Sequence, residues 1–322
     1  MSSPATSILT VTLNPALDIA TSVERVEPGI KLRCGAPRID PGGGGINVAR
    51  VIMRLGGGCR ALAVTGGTTG VHLLSLLEAE GIIAHPIPID PATRQSFAVT
   101  DTSTSAQYRF ILPGPQIDAE TANRILAGIL DAAAQMQRGG HVVFSGSMPL
   151  GLPEDFITIC AASLHRSGHH LCVDTSGTAL QHLVRDPLQP PFLLRLDQSE
   201  AEQISGGALT GAEASADLAA SLVRRGVAKT VVLGCGAAGS VLATAEARYF
   251  CCAADVTVVS TTGAGDSFMG ALTLALSRGE TPDQALRWGV AAASAAVMTP
   301  ATQLCEATVV WALLDQCDIS TI

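Results

Sequence analysis

Charge is scarce in this sequence. Asp, Glu, Lys and Arg make up 15% of the 322 residues, against about 25% in an average soluble protein. The balance is a net −8 with only 20 basic side chains. The absence of a basic cluster excludes a broad nucleic-acid surface, which needs cations to replace counterions along the phosphates. Disorder of the bulk of the chain is excluded as well, because disordered chains are charge-rich and apolar-poor and this one is 47% hydrophobic. No apolar run approaches the length of a membrane span. The longest suspect, 288–298, contains Ser294, stops before Pro300 and reads as a helix buried against a sheet. A basic leader is missing too: the first charged residue is Asp18, so the apolar stretch 8–13 reads as a first strand and not as part of a signal peptide. The expectation is a cytoplasmic globule with neither membrane nor nucleic acid as a partner.

Other absences concern chemistry. Nine cysteines include no C-x-x-C pair, and they are too sparse for the disulfide scaffold of a small secreted domain. His169, His170 and Cys172 lie close in sequence, and Cys251 and Cys252 are adjacent; neighbours on a strand point to opposite faces, which disfavours a shared zinc. The seven histidines form no H-E-x-x-H, and Gly146-Ser147 lacks the G-x-S-x-G frame of a nucleophile elbow. No glycine directly precedes a lysine, so there is no P-loop. At Pro41-Gly42-Gly43-Gly44-Gly45-Ile46-Asn47, a dinucleotide fingerprint fails because Asn47 takes the third glycine position. Nor is there an acidic residue between Asp40 and Glu78 to bind a ribose.

What is present is an alternation of strand and helix patterns. Strands are expected at 8–13, 61–65, 84–89, 141–145, 171–174, 192–196 and 230–234, and an antiparallel pair at 239–243 and 247–251. Helices are expected at 46–55, 70–79, 119–137, 154–166, 214–225, 264–277 and 282–298. This is the signature of an α/β domain whose crossover helices cover a mostly parallel sheet. Two stretches break the rhythm, about 15–38 and 92–112, with apolar and polar residues mixed at strand spacing and no helix between. They predict a small sheet standing off the main one as a lid or dimer surface. Its exposed edges would be covered by pairing two lids, which predicts a homodimer.

Chemistry concentrates in two glycine-rich segments. Thr262-Gly263-Ala264-Gly265-Asp266-Ser267 follows the β-branched stretch 256–259 and precedes a helical apolar pattern, so it is expected at a strand-to-helix junction. Glycines there expose N–H groups at a helix start, which makes an anion site. Asp266 in the first turn is either a helix cap or a base that deprotonates a hydroxyl as a phosphoryl group arrives. In the front segment, Gly43 and Gly44 permit close approach, and Asn47 offers a donor and an acceptor to sugar hydroxyls. Asp18, at the carboxyl edge of the first strand, is either a turn carboxylate or a hydroxyl ligand. Lys31, Arg33, Arg94 and Arg109 lie in or beside the lid segments, where they either decorate a solvated surface or attract a phosphorylated ligand. Asp197 and Glu200 form D-x-x-E after the 192–196 strand; the spacing serves a helix start or a hydrated Mg2+ equally well.

The chain resembles the PfkB family of ribokinase-like sugar kinases over nearly its whole length. The resemblance rests on Pro41-Gly-Gly-Gly-Gly-Ile-Asn-Val-Ala-Arg50 and Thr262-Gly-Ala-Gly-Asp-Ser267, two motifs in the family's order and about 220 residues apart. It extends to Val143-Phe-Ser-Gly-Ser-Met-Pro149 and Val173-Asp174. Further matches are Leu13-Asn-Pro-Ala-Leu-Asp18, Lys31-Leu-Arg33, Thr93-Arg94-Gln95, Tyr108-Arg-Phe110 and Thr302-Gln-Leu-Cys305, which bring it nearest to the members acting on fructose 6-phosphate. The resemblance implies a three-layer α/β/α domain with a small β lid, and transfer of the ATP γ-phosphoryl group to O1 of fructose 6-phosphate. Tagatose 6-phosphate, fructose 1-phosphate and non-catalytic binding of a sugar phosphate are the alternatives. It further implies Asp266 as base; Gly263, Ala264, Gly265 and Lys31 as groups on the transferred phosphoryl; and Asp18, Gly43, Gly44, Asn47, Ser145 and Ser147 on the sugar. Arg94 would hold the acceptor's own phosphate, Arg195, Gly234, Gly236 and Gly239 would line the nucleotide, and Asp197 and Glu200 would hold Mg2+ through water, with K+ as a further candidate ion. Relatives acting on other sugar phosphates commonly carry lysine where this chain has Gly44. One segment departs from the family: Arg195-Leu196-Asp197 stands where Lys-Pro-Asn is usual, which predicts altered ATP or metal affinity.

Overall fold

The computed structural model describes residues 7–300 and 303–322; of the Thr302–Cys305 match, Thr302 therefore lies outside the described residues. The first strand, β1 (Ile8–Thr12), is buried along its whole length. It passes through only three residues into β2 (Ala16–Val23), which belongs to a different sheet. After β3 (Arg38–Gly42) and α1 (Gly44–Arg54), the chain alternates through β4 (Arg60–Thr65), α2 (Gly67–Ala79) and β5 (Ile83–Pro88). The hairpin β6 (Arg94–Asp101) and β7 (Gln107–Ile111) interrupts it. The rhythm then resumes with α3 (Ala119–Ala134), β8 (His141–Ser145), α4 (Phe156–Arg166), β9 (His170–Asp174), α5 (Gly177–Arg185), β10 (Leu193–Leu196) and α6 (Gln198–Ser205). The last third comprises α7 (Gly211–Arg224), β11 (Thr230–Gly234), β12 (Gly239–Ala243), β13 (Arg248–Cys252), α8 (Ala264–Ser277), α9 (Pro282–Val297), α10 (Ala307–Leu313) and β14 (Ile319–Thr321).

Among the described residues the main sheet has ten strands in the order β14-β13-β12-β11-β10-β9-β8-β1-β4-β5. It is parallel from β11 to β5 and antiparallel at the β12–β14 end. Strand side chains alternate between two cores. Leu9, Val11, Val142 and Phe144 pack with α3, α4, α5 and α7, whereas Ile8, Ala61, Val143 and Cys172 pack with α1, α2, α8 and α9. That division is the three-layer α/β/α architecture. The second sheet runs β3-β2-β6-β7, with β2 parallel to β6 and antiparallel pairs outside.

Three local expectations change. The stretch 256–259 is not a strand: β13, which precedes it, ends at Cys252 and is already paired on both sides by β12 and β14, and 256–259 joins neither sheet. Val258 and Val259 are exposed on a loop, and the glycine motif sits at a loop-to-helix junction. The 15–38 segment is strand only at its ends; Pro28, Gly29, Gly35 and Pro37 keep 24–37 irregular. Helices α5, α6 and α10 are additions. In α6 only Ala201 is buried, too little to leave an apolar period in the sequence.

Candidate functional site

The carboxyl ends of β1 and β8, the starts of α1 and α8, and one face of the small sheet come together at one place. Gly263 caps α8 in the left-handed conformation, at φ 80°, which only glycine adopts without strain. The first-turn amides of α8 thus open toward the start of α1. No side chain caps α8, so the capping alternative for Asp266 does not hold. Instead its Oδ2 accepts from Asn47 Nδ2 at 2.9 Å and its Oδ1 from Ser145 Oγ at 3.3 Å. Three elements distant in sequence meet on this one carboxylate.

Asp266 carries a pKa pushed up to about 6. Burial is the chief cause, and the Asp174 charge adds to it; the Asn47 hydrogen bond, Arg195 and Ser145 pull the other way. Asp18 is also raised, by burial, against a bond from Ser96 Oγ at 2.5 Å and the charge of Arg94. It lies opposite Ser96 on β6 and Asp40 on β3. A narrow cleft lined by Asp18, Ser96, Arg109 and Thr262 runs between the small sheet and the segment leading into α8.

The glycines of the front motif have steric reasons. A Cβ on Gly42 would run into the Asp18 carboxylate. One on Gly43, at φ 111°, would meet Thr12 Cγ2 at 2.6 Å, and one on Gly44 would meet the Gly146 amide nitrogen at 2.6 Å. The start of α1 is therefore laid directly on the Ser145–Gly146 backbone. Ser147 is exposed, and its Oγ accepts from Asn14 Nδ2 at 3.1 Å. Arg94, the first residue of β6, donates from Nε and Nη2 to the Asn14 carbonyl at 3.4 and 3.2 Å. Lys31 is exposed on the 24–37 loop and is not brought to this cluster by any hydrogen bond or ion pair among the described residues.

Arg195 faces inward. Its Nη1 lies 3.1 Å from Asp174 Oδ1, and its guanidinium sits over the Phe268 ring at 5.9 Å. A Cβ on Gly265 would come within 2.8 Å of Nη1. Burial works against its charge, but Asp174, Glu200 and Asp197 together more than offset this and raise its pKa. Gly236, at φ 59°, abuts Gln198, and Gly239, at φ 131°, lies against Cys251 where no side chain fits. Together with Gly234 they form the turn from β11 to β12 beside the start of α6.

Asp197 and Glu200 make a capping box on α6: Asp197 Oδ1 accepts from Glu200 N at 2.8 Å, and Glu200 Oε2 from Asp197 N at 2.9 Å. Burial, then the neighbouring Asp197 and Asp174 charges, push Glu200 up to about 7, against the backbone bond and Arg195. Each carboxylate keeps one oxygen free of the box. Among the described residues no three His, Cys, Asp or Glu are grouped to grip a metal directly. Crowded carboxylates with spare oxygens fit a hydrated dication held through its waters. Beside them, between α5 and α6, opens a cavity of about 650 Å3 lined by Ser176, Arg185, Asp197, Glu200 and Gln203.

Asp174, Ser96 and Asn14 had no assigned role from sequence reasoning. Asp174 ends β9 on the same sheet edge that singled out Asp18, so that rule would have found it. Ser96 and Asn14 are identified only through partners distant in the chain.

The family model for pfkB family carbohydrate kinases matches residues 11–309. The chain is 42% identical over 299 residues to ATP-dependent 6-phosphofructokinase isozyme 2 of Mycobacterium tuberculosis, covering 93% of this chain and 86% of that protein. It superposes on phosphofructokinase-2 from Escherichia coli in complex with potassium with a TM-score of 0.90 at 34% identity, covering 97% of this chain and 99% of the other. The same enzyme in complex with fructose-6-phosphate gives 0.88 at 33%, with the same coverage.

Proposed function

The chain belongs to the PfkB family of carbohydrate kinases, and from that premise we propose that it is an ATP-dependent 6-phosphofructokinase in which Asp266 is the base. The observation that carries this reading is the convergence of Asn47 and Ser145 on Asp266 at the open start of α8. Asp266 takes the proton of the fructose 6-phosphate O1 hydroxyl. O1 then bonds to the γ-phosphorus as the bond to the β,γ-bridging oxygen breaks, giving fructose 1,6-bisphosphate and ADP. The amides of Gly263, Ala264 and Gly265 stabilise the charge on the transferred group. Asp18, Gly43, Gly44 and Asn47 orient the sugar, and Arg94 and Ser147 take its phosphate. The nucleotide lies along Gly234, Gly236 and Gly239, with Lys31 reaching the phosphoryl group on lid closure. Arg195, expected from the resemblance to line the nucleotide, is instead assigned to support α8 through its Asp174 pair and its contact over Phe268.

Mg2+ held through water near Asp197 and Glu200 neutralises phosphate charge when bound. A related enzyme was crystallised with potassium, and exchanging K+ for Na+ in the assay tests that ion here. The small sheet is read as the lid and homodimer surface, with Tyr108, Phe110 and Leu112 exposed on edge strand β7 and just beyond it. No helix among the described residues is long and apolar enough to cross a membrane.

A coupled ADP-release assay with MgATP tests the reading. Fructose 6-phosphate, tagatose 6-phosphate, fructose 1-phosphate and fructose are compared, each with Asp266→Asn. Turnover led by fructose 6-phosphate and lost in the variant is expected. A different preferred sugar overturns the acceptor, and binding without ADP release overturns catalysis.

A further inference from the structure

Asn14 lies in the three-residue link between the two sheets, and it is 8% exposed. Pro15 follows it and biases its backbone toward an extended conformation. Its side-chain amide nitrogen and its backbone carbonyl both bear on the rim of the site. The carbonyl takes two bonds from Arg94, and the amide nitrogen donates to Ser147. Oδ1 is buried with no partner, and Gly114 is packed so closely that a Cβ there would meet Asn14 Cγ at 2.8 Å. The segment after β7 thus closes over Asn14, and Arg94 also reaches that segment at the Leu112 carbonyl, 3.5 Å away.

Polarity makes this arrangement more than packing. Ser147 Oγ accepts from Asn14, so its own proton is free to be donated elsewhere. Arg94 rests on neutral carbonyls and has no carboxylate within salt-bridge distance among the described residues. A hydroxyl donor and a guanidinium without a contacting counter-charge are thereby anchored to one residue. Such a pair suits a phosphate, which accepts from both.

We propose that Asn14 is a positioning residue for the acceptor's phosphate, fixing Ser147 as a donor and Arg94 beside it so that both bear on one phosphate group. This rests on the sugar-phosphate kinase reading above. The residue acts through its two partners and makes no contact with the reacting atoms.

Two substitutions separate positioning from mere structure. Asn14→Ala removes the amide and should raise KM for fructose 6-phosphate about tenfold, the scale of one lost hydrogen bond, while KM for MgATP and turnover on unphosphorylated fructose hold. Asn14→Asp keeps the shape but reverses the polarity: the carboxylate captures the Ser147 proton and repels the phosphate. It should therefore be worse than alanine on fructose 6-phosphate and neutral on fructose, with a thermal midpoint at least as high as that of the alanine variant. A purely structural Asn14 gives the opposite order, or equal losses on both sugars, and either result overturns the proposal. Should both variants fail to fold, Ser147→Ala at the exposed partner carries the test. It must raise KM for fructose 6-phosphate about tenfold, a larger factor than it costs on fructose, and an unchanged KM sinks the idea. Failure of the wild type on every sugar phosphate defeats the functional reading itself, whereas wild-type turnover with silent variants defeats only the role of Asn14.

Discussion

A carboxylate held near pKa 6 is about nine-tenths ionised at pH 7, yet still basic enough to accept a proton as the phosphoryl group arrives. The base must be deprotonated, so raising its pKa moves the inactive window upward. Activity is expected to be flat above about pH 7 and to fall about tenfold per unit below pH 6. Because the Asn47 bond lowers the Asp266 pKa, Asn47→Leu should shift the acid limb of kcat to higher pH. A limb that stays put between pH 5 and 8 would remove Asp266 from the role of base. Gly44 tests packing at the same scale. A methyl there meets backbone at Gly146 and Ser145, which have no rotamer to change. Gly44→Ala should therefore lower stability by about 1–3 kcal/mol, as overpacking does, read as a drop in thermal midpoint, and it should displace Ser145 from Asp266. The structure thus gives Gly44 a steric reason where the sequence offered only a marker of the preferred sugar.

At the scale of elements, β9 and β10 are joined by a half-buried ion pair, Arg195 with Asp174, whose side chains are 17% and 13% exposed, and the same guanidinium lies over Phe268 of α8. Removing one partner leaves the other's charge stranded, at a cost on the order of 3 kcal/mol. Arg195→Met should lower the thermal midpoint. It should also carry the Asp266 acid limb upward, since Arg195 now holds that pKa down. Arg195→Lys keeps the charge but not the planar fork, so the midpoint should fall while the limb stays in place; a limb that moves equally in both variants would refute the electrostatic part. The legibility of the elements follows the same physics. Central strands such as β1, β4 and β8 are continuous buried runs that sequence reading locates. The D-x-x-E spacing left two readings open, and geometry shows the capping box without removing the spare oxygens a hydrated ion would use. The segment 256–259 misleads because β-branched residues carry no record of whether the chain runs beside a strand it can pair with. Asp266 and Asn47 were visible as motif residues; that they hydrogen-bond across 219 positions was not.

Across the whole molecule, the small sheet is the part a single chain leaves unfinished. Its order puts β7 at an edge, and β7 is exposed at every residue. Phe110 and Ile111 are 55% and 61% exposed, with Tyr108 and Leu112 beside them. An edge strand with unpaired backbone groups and large apolar side chains invites association. The occupant favoured here is a second copy, since two such sheets facing each other cover the same patch on both chains by one two-fold axis. If the proposed pairing forms, the parent chain sediments as a dimer and Phe110→Glu as a monomer at the same concentration, with its thermal midpoint changed little because the residue is exposed. Its kinetic consequence discriminates further. Arg94 and Asp18 sit on the same sheet, one at the start of β6 and the other on β2. Loosening the sheet should therefore raise KM for the sugar phosphate while KM for MgATP, whose proposed site is at the far strands, holds. A variant that remains dimeric would place the interface elsewhere, and one that becomes monomeric with both constants unchanged would show that the lid closes on the sugar without its partner.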